Sequence, residues 1–310
     1  ADDSLSRKAA EILRQGDLDG AGRVLDELIA RDEARTNQLT RNHYLRGRTF
    51  DLQFLPVQAL PHYERAFRYR PEVFEYAHDY GTLLCKQEQF ALAEKPLTAA
   101  LQAARIDKSE AAANRQRLAG TLNNLGNLYR ATQRMKEAES AYQEALTTYR
   151  QLARDNPAAF LPSVAETLNN LGVLYSATQR MKEAESAYRE ALTLRRQLAR
   201  DNPAAFLPDV AMTLNNLGAL YSDTQRMKEA ESAFQEALTL HRQLARDNSA
   251  AFLPDVAMTL NNLGVLYSAT QRMKEAESAY REALTLRRQL ARDNPAAFLP
   301  NVAGTLNNLG

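Results

Sequence analysis

The stretch from Thr167 to Met212, TLNNLGVLYSATQRMKEAESAYREALTLRRQLARDNPAAFLPDVAM, decides the fold of this chain because it recurs almost unchanged. Its opening TLNNLG starts at Thr121, Thr167, Thr213, Thr259 and Thr305, a step of 46 residues each time, which gives four complete units and a fragment of a fifth. The units beginning at Thr167 and Thr213 differ at only six places: Val173/Ala219, Ala177/Asp223, Tyr188/Phe234, Arg189/Gln235, Arg195/His241 and Pro203/Ser249. Self-similarity at such a period marks an architecture in which each unit buries its apolar face against its neighbours.

Inside a unit the apolar residues recur at helical spacing, first as Leu168, Leu171, Gly172, Leu174 and Tyr175, then as Met181, Ala184, Ala187, Tyr188, Ala191, Leu192 and Leu194. Two helices joined by the turn Ser176 to Arg180 follow. Glu185 precedes Arg189 by four residues, the favourable order for an ion pair on one helix face. The second helix should stop near Asp201-Asn202-Pro203, because proline lacks an N–H and restricts the residue before it. Pro208 is expected to open the next helix, where its fixed φ is suitable and its missing donor is not needed.

The series Gly126, Tyr129, Ala138, Tyr142 and Ala145 resembles the tetratricopeptide repeat, in which a glycine on the first helix meets an alanine on the second where the two backbones approach most closely. The wording around DNPAAFLPDVAMTLNNLGALY looks most like the long repeats of kinesin light chains and of bacterial signalling proteins. Those units are usually shorter, and the extra residues around AAFL imply a different curvature. Upstream, Gly47, Phe50, Ala59, Tyr63, Ala66 and Pro71 match one ordinary repeat, and Gly81, Leu84, Ala93, Leu97 and Ala100 match another 34 residues later. Ala9, Ile12, Ala21, Leu25 and Leu28 read as a degenerate first hairpin. The expectation is an all-α, right-handed α-solenoid with a cap over residues 1–37, two ordinary repeats over 38–108, and long units over 109–310. The last of these stops within a first helix at Gly310, so either more chain or another copy is expected to cover it.

Composition narrows the function. Lys and Arg number 39 and Asp and Glu 38, a net charge of +1. That balance disfavours a dedicated nucleic-acid binder. No apolar run approaches the roughly 20 residues that cross a bilayer. The single Cys85 makes no internal disulfide and mildly favours a cytoplasmic setting. Cys85 and His78 lie seven residues apart on one helix, about 10 Å along the axis at 1.5 Å per residue, too far for a thiol–imidazole pair. His43, His62 and His241 match no metal-ligand spacing. Met135, Met181, Met227 and Met273 open the second helices and read as core. No cofactor, metal or enzyme activity is expected.

The stack's inner groove is therefore where binding is sought. Counting from the glycine of each first helix, the predicted lining is Asn123, Asn127 and Arg130; Asn169, Val173 and Ser176; Asn215, Ala219 and Ser222 with Asp223; and Asn261, Val265 and Ser268. Asn124, Asn170, Asn216 and Asn262 stand beside them, and the site Glu166, Met212, Met258 and Gly304 varies. Asparagine both donates and accepts, so a ladder of it can hold an extended peptide backbone, as the resemblance also implies. The competing reading is that one asparagine of each pair only joins adjacent repeats. Arg195, His241 and Arg287, on second helices, are expected to face solvent. No rows of Lys and Arg form a clamp for an acidic tail. The expected function is a non-catalytic scaffold that takes an extended peptide or helix from a protein partner. The alternatives are the sensor arm of a bacterial signalling protein with an NTPase or caspase-like protease, and a repeat that self-assembles through its uncapped ends.

Overall fold

In a computed structural model, residues 2–107 and 111–310 are described, with side chains from residue 5 onward. Among these residues there are fourteen helices and no strand. Within each of two compact units, consecutive helices pack as antiparallel pairs, an α-solenoid arrangement. No described helix is long and apolar enough to cross a membrane. The chain divides into two compact units, Ala1–Thr132 and Gln133–Gly310.

The first unit holds α1 (Asp2–Arg14), α2 (Leu18–Leu52), α3 (Pro56–Tyr69), α4 (Phe74–Lys86), α5 (Phe90–Ile106) and α6 (Ala112–Ala131). The 35 residues of α2 run unbroken through residues 37 and 38, so α1 pairs with the beginning of the helix whose end pairs with α3. Gly47 lies against the Tyr63 ring and Gly81 against Leu97. Ala59, Ala66, Ala93, Leu97 and Ala100 are wholly buried.

The second unit holds α7 (Met135–Asp155), α8 (Pro157–Ala177), α9 (Met181–Asp201), α10 (Pro203–Asp223), α11 (Met227–Asp247), α12 (Ser249–Ala269), α13 (Met273–Asp293) and α14 (Pro295–Leu309). Two 21-residue helices, a three-residue turn and one joining asparagine account for the period. The turn closes as a Schellman motif: the Arg180 N–H donates to the Tyr175 carbonyl at 2.8 Å and that of Gln179 to Ser176 at 3.1 Å. Gln179 takes φ of 60°, and Gln225 and Gln271 repeat it.

Pro208 does not open its helix. Asn202 caps α10 by accepting from the Ala205 N–H at 3.3 Å, Pro203 occupies the first helical position, and Pro208 falls inside. Capping side chain and N1 proline together are a stronger start than the later proline alone. Where Ser249 replaces the first proline, Asn248 still caps α12, so the asparagine sets the boundary. The extra AAFL residues thus lengthen the first helix.

Each first helix meets its partner at the glycine. A methyl group on Gly218 would lie 2.6 Å from Phe234 Cδ1, and one on Gly172 or Gly264 would lie 2.5 Å from the tyrosine opposite. Successive second helices are bridged on the outside by Arg150–Glu190 at 2.6 Å, Arg196–Glu236 at 2.5 Å and Arg242–Glu282 at 2.6 Å. A further row pairs Arg180 with Glu139, Arg226 with Glu185 and Arg272 with Glu231 at 2.7 to 2.8 Å. Each of these guanidinium groups also covers a tyrosine ring, Tyr175, Tyr221 or Tyr267. Exposed pairs contribute little individually, but the rows fix the register of one unit on the next.

Candidate functional site

Successive first helices of the second unit are joined by short side chains. Asn216 Nδ2 donates to Asn169 Oδ1 at 3.2 Å, Asn262 to Asn215 at 3.1 Å, and Asn308 to Asn261 at 3.3 Å. The second helices are bridged by the much longer Arg–Glu pairs, so the first-helix side is the tighter one, and we call it the inner face of this unit.

Asn169 and Asn215 are buried, Asn261 is half-buried, and each spends its carbonyl oxygen on the following repeat. Asn170, Asn216 and Asn262 are half-buried on the open side. The accessible stripe therefore runs through Glu166, Asn170, Val173 and Ala177 on α8; Met212, Asn216, Ala219 and Asp223 on α10; and Met258, Asn262, Val265 and Ala269 on α12. Met212, Met258 and Val265 are 39%, 37% and 45% exposed, so the stripe is largely apolar. Ser176, Ser222 and Ser268 are half-buried at its margin. In the first unit Asn123 is buried, Asn127 and Arg130 are half-buried, and Asn124 donates to Thr82 Oγ1 at 3.0 Å.

Arg195 and His241 do not face solvent; they are 3% and 2% exposed. Arg195 Nη1 donates to Thr213 Oγ1 at 2.5 Å, the Asp209 carbonyl at 3.2 Å and Asn169 Oδ1 at 3.4 Å. Its Nε has no hydrogen-bond partner and sits 4.0 Å from the Asp209 carboxylate. Burial pushes this guanidinium's pKa down, and Asp209 and Glu166 oppose the shift. His241 Nδ1 lies 3.1 Å from Thr259 Oγ1, which donates its own proton to the Asp255 carbonyl, so Nδ1 carries the proton. Burial depresses the His241 pKa, while Asp255 works in the opposite direction. Arg287 is half-buried and bonds Thr305 and the Asn301 carbonyl.

These residues share one register position with the buried Tyr149, and its facing residues change in step: Tyr149 with Ser163, Arg195 with Asp209, His241 with Asp255, Arg287 with Asn301. Reading the copies against each other at that pair of positions was the signal for a buried polar seam. A single copy, with an arginine on an outer helix, does not carry it.

Elsewhere, His43 Nδ1 lies 3.0 Å from His62 Nδ1. Burial pushes the Cys85 thiol up to about 11, which leaves it protonated at neutral pH. His78 pairs with Asp79 at 3.2 Å. Among the described residues no three His, Cys, Asp or Glu side chains converge on a metal-sized space. A cleft of about 710 Å³ in the first unit is lined by Leu25, Leu28, Ile29 and neighbours, with Arg70 engaged by Glu72 and Asn37.

A model of the tetratricopeptide repeat matches residues 117–197, 163–243 and 209–289, more than half of the chain. This chain belongs to the tetratricopeptide repeat family. No curated protein matches it. Among solved structures, BtubC (BKLC) from P. vanneervenii is 21% identical with a TM-score of 0.58, covering 82% of this chain and 92% of that one. The apo form of RapI is 13% identical with a TM-score of 0.57 over 82% and 99%. A putative kinesin light chain with nearly identical repeats from Podosopora anserina is 14% identical with a TM-score of 0.56 over 72% and 98%. At these identities the likeness is one of fold. Tetratricopeptide repeats generally serve as protein–protein interaction scaffolds and are generally non-catalytic.

Proposed function

We propose that this tetratricopeptide repeat protein is a non-catalytic scaffold whose inner face, built by the first helices of the long units, receives a peptide segment of a protein partner. The observation that carries the reading is the contrast between the two sides of the second unit. Outside, the arginines and glutamates are already paired with one another. Inside, Met212, Met258, Ala219 and Val265 are exposed without a covering element. Removing such apolar area from water is worth roughly 25 cal/mol per Å², so this face gains most from a partner.

The chain has six methionines: Met212 and Met258 on the inner face, and Met135, Met181, Met227 and Met273 at the starts of second helices. Labelling the methionine methyl groups with ¹³C gives a probe for each. Peptides selected from a random library against the full chain should shift the Met212 and Met258 signals and leave the other four near their free positions. Shifts confined to the other four would place binding elsewhere and defeat the proposal.

A further inference from the structure

We infer that the inner face of the second unit takes a basic amphipathic helix. This rests on the groove reading above and adds the chemistry of the partner. The charges of this unit are sorted between its two layers. Lys and Arg number 39 in the 310 residues, yet the first helices α8, α10, α12 and α14 contain no Lys, Arg or His. Their charged residues are Glu166, Asp209, Asp223 and Asp255, all acidic. Glu166 and Asp223 are exposed, and Asp209 and Asp255 are half-buried at the edge of the stripe. Arg195 offsets Asp209 and Glu166 in part from beneath, whereas burial lowers the pKa of His241 beside Asp255 and so disfavours a countercharge there. A face that is largely apolar and carries only acids, with no bases, at and just beyond its borders attracts a guest with an apolar stripe flanked by Lys or Arg.

The asparagines decide between a helix and an extended segment. An extended guest brings unpaired backbone N–H and C=O groups that need partners in the groove. Here the amides of Asn216, Asn262 and Asn308 are turned on the oxygens of Asn169, Asn215 and Asn261, so the ladder closes on itself. A helix satisfies its own backbone and asks only for apolar surface and countercharge. Methionine side chains adapt to the uneven surface a helix presents.

The test uses the full chain and three labelled peptides of about five helical turns: one with a leucine stripe and lysine on the remaining face, its twin with glutamate for lysine, and a shuffled lysine peptide whose leucines are scattered. Fluorescence anisotropy should show the first binding at least about tenfold tighter than either other and weakening severalfold as salt is raised, since salt screens exposed charge. The combined variant Met212→Lys, Met258→Lys, Asp223→Lys should lose about tenfold or more. Tight binding of the glutamate twin, with Met212 and Met258 methyl shifts, would overturn the basic partner and leave the groove standing. Equal binding by the shuffled peptide would overturn the helix. Undiminished binding of the lysine–leucine peptide to the variant, or no binding by any peptide, would overturn this inference together with the groove reading.

Discussion

Two glycine-to-alanine substitutions of the same chemistry should move stability in opposite directions. In Gly218→Ala the new methyl carbon would stand 2.6 Å from Phe234 Cδ1 and Cε1 and 2.9 Å from Cγ, whereas carbon atoms rest near 3.5–4.0 Å. Phe234 is 2% exposed, so its ring has nowhere to swing, and either α10 retreats from α11 by about 1 Å or the ring leaves its rotamer. Overpacking of this kind costs about 1–3 kcal/mol. Alanine returns about 1 kcal/mol through helix propensity. The net expectation is a loss of about 1–2 kcal/mol. Gly304 lies in the interior of α14 with no atom within 4 Å of a built methyl group, so Gly304→Ala keeps only the propensity gain, about 1 kcal/mol. Urea unfolding followed by far-ultraviolet circular dichroism measures both. If Gly218→Ala proved as stable as Gly304→Ala, the close approach at the glycine would not be what positions the two layers.

Asn169→Ala removes the oxygen that accepts from both Arg195 and Asn216, so it should destabilise by about 1–3 kcal/mol in the same assay, while Ala177→Ser on the open stripe should change stability by less than about 0.5 kcal/mol. Arg195→Tyr with Asp209→Ser copies the Tyr149 and Ser163 arrangement from the adjacent unit, and a double-mutant cycle should show the pair less destabilising than the sum of the single changes by about 1 kcal/mol; strict additivity would deny the seam. His241 has its pKa lowered from 6.5 on folding, so the unfolded chain binds the proton more readily. The stability that neutral His241 confers is therefore complete above pH 6.5 and is lost as pH falls below it toward the depressed folded value. His241→Arg, which reproduces the side chain at Arg195, should flatten that part of the stability profile, and a profile unchanged by the substitution would show that acid sensitivity arises elsewhere.

Periodicity, turn and helix ends are local properties, and they were legible for that reason. The step from Thr167 to Thr213, the turn before Met181 and the stop at Asn202 all lie where the residues place them. Pro208 misled because a helix start is a competition, and the capping Asn202 with Pro203 wins it five residues earlier. The facing of side chains was harder to read. A first helix in a stack touches its own second helix, the preceding second helix and the first helices on either side, which leaves only a narrow stripe open. Asn169 and Asn170 are a single residue apart, about 100° around the helix, and that difference puts one in the seam and the other on the stripe. Arg195 was hardest to place, because a buried arginine at the end of a long side chain depends on partners 14 and 18 residues later and on Asn169 in the preceding first helix.

Near-identity between the copies does not make the inner face uniform. The residues that do not change, among them the inter-unit arginines and glutamates, the stacked asparagines and the glycines of the first helices, are those that hold one hairpin to the next. Any unit carrying them fits beside any other. Among the places that do change are the stripe and the seam beneath it: Glu166, Met212 and Met258 at one level, Val173, Ala219 and Val265 at the next, and Ala177, Asp223 and Ala269 beyond. Glu166 stands at one corner, two methionines follow it along that border, and a second acid, Asp223, stands midway along the opposite border. A guest sliding by one unit would trade a carboxylate for a thioether on one border and an aspartate for a methyl group on the other. The stack can therefore be assembled from interchangeable parts and still offer the proposed guest one preferred register, because the differences are placed where assembly does not depend on them.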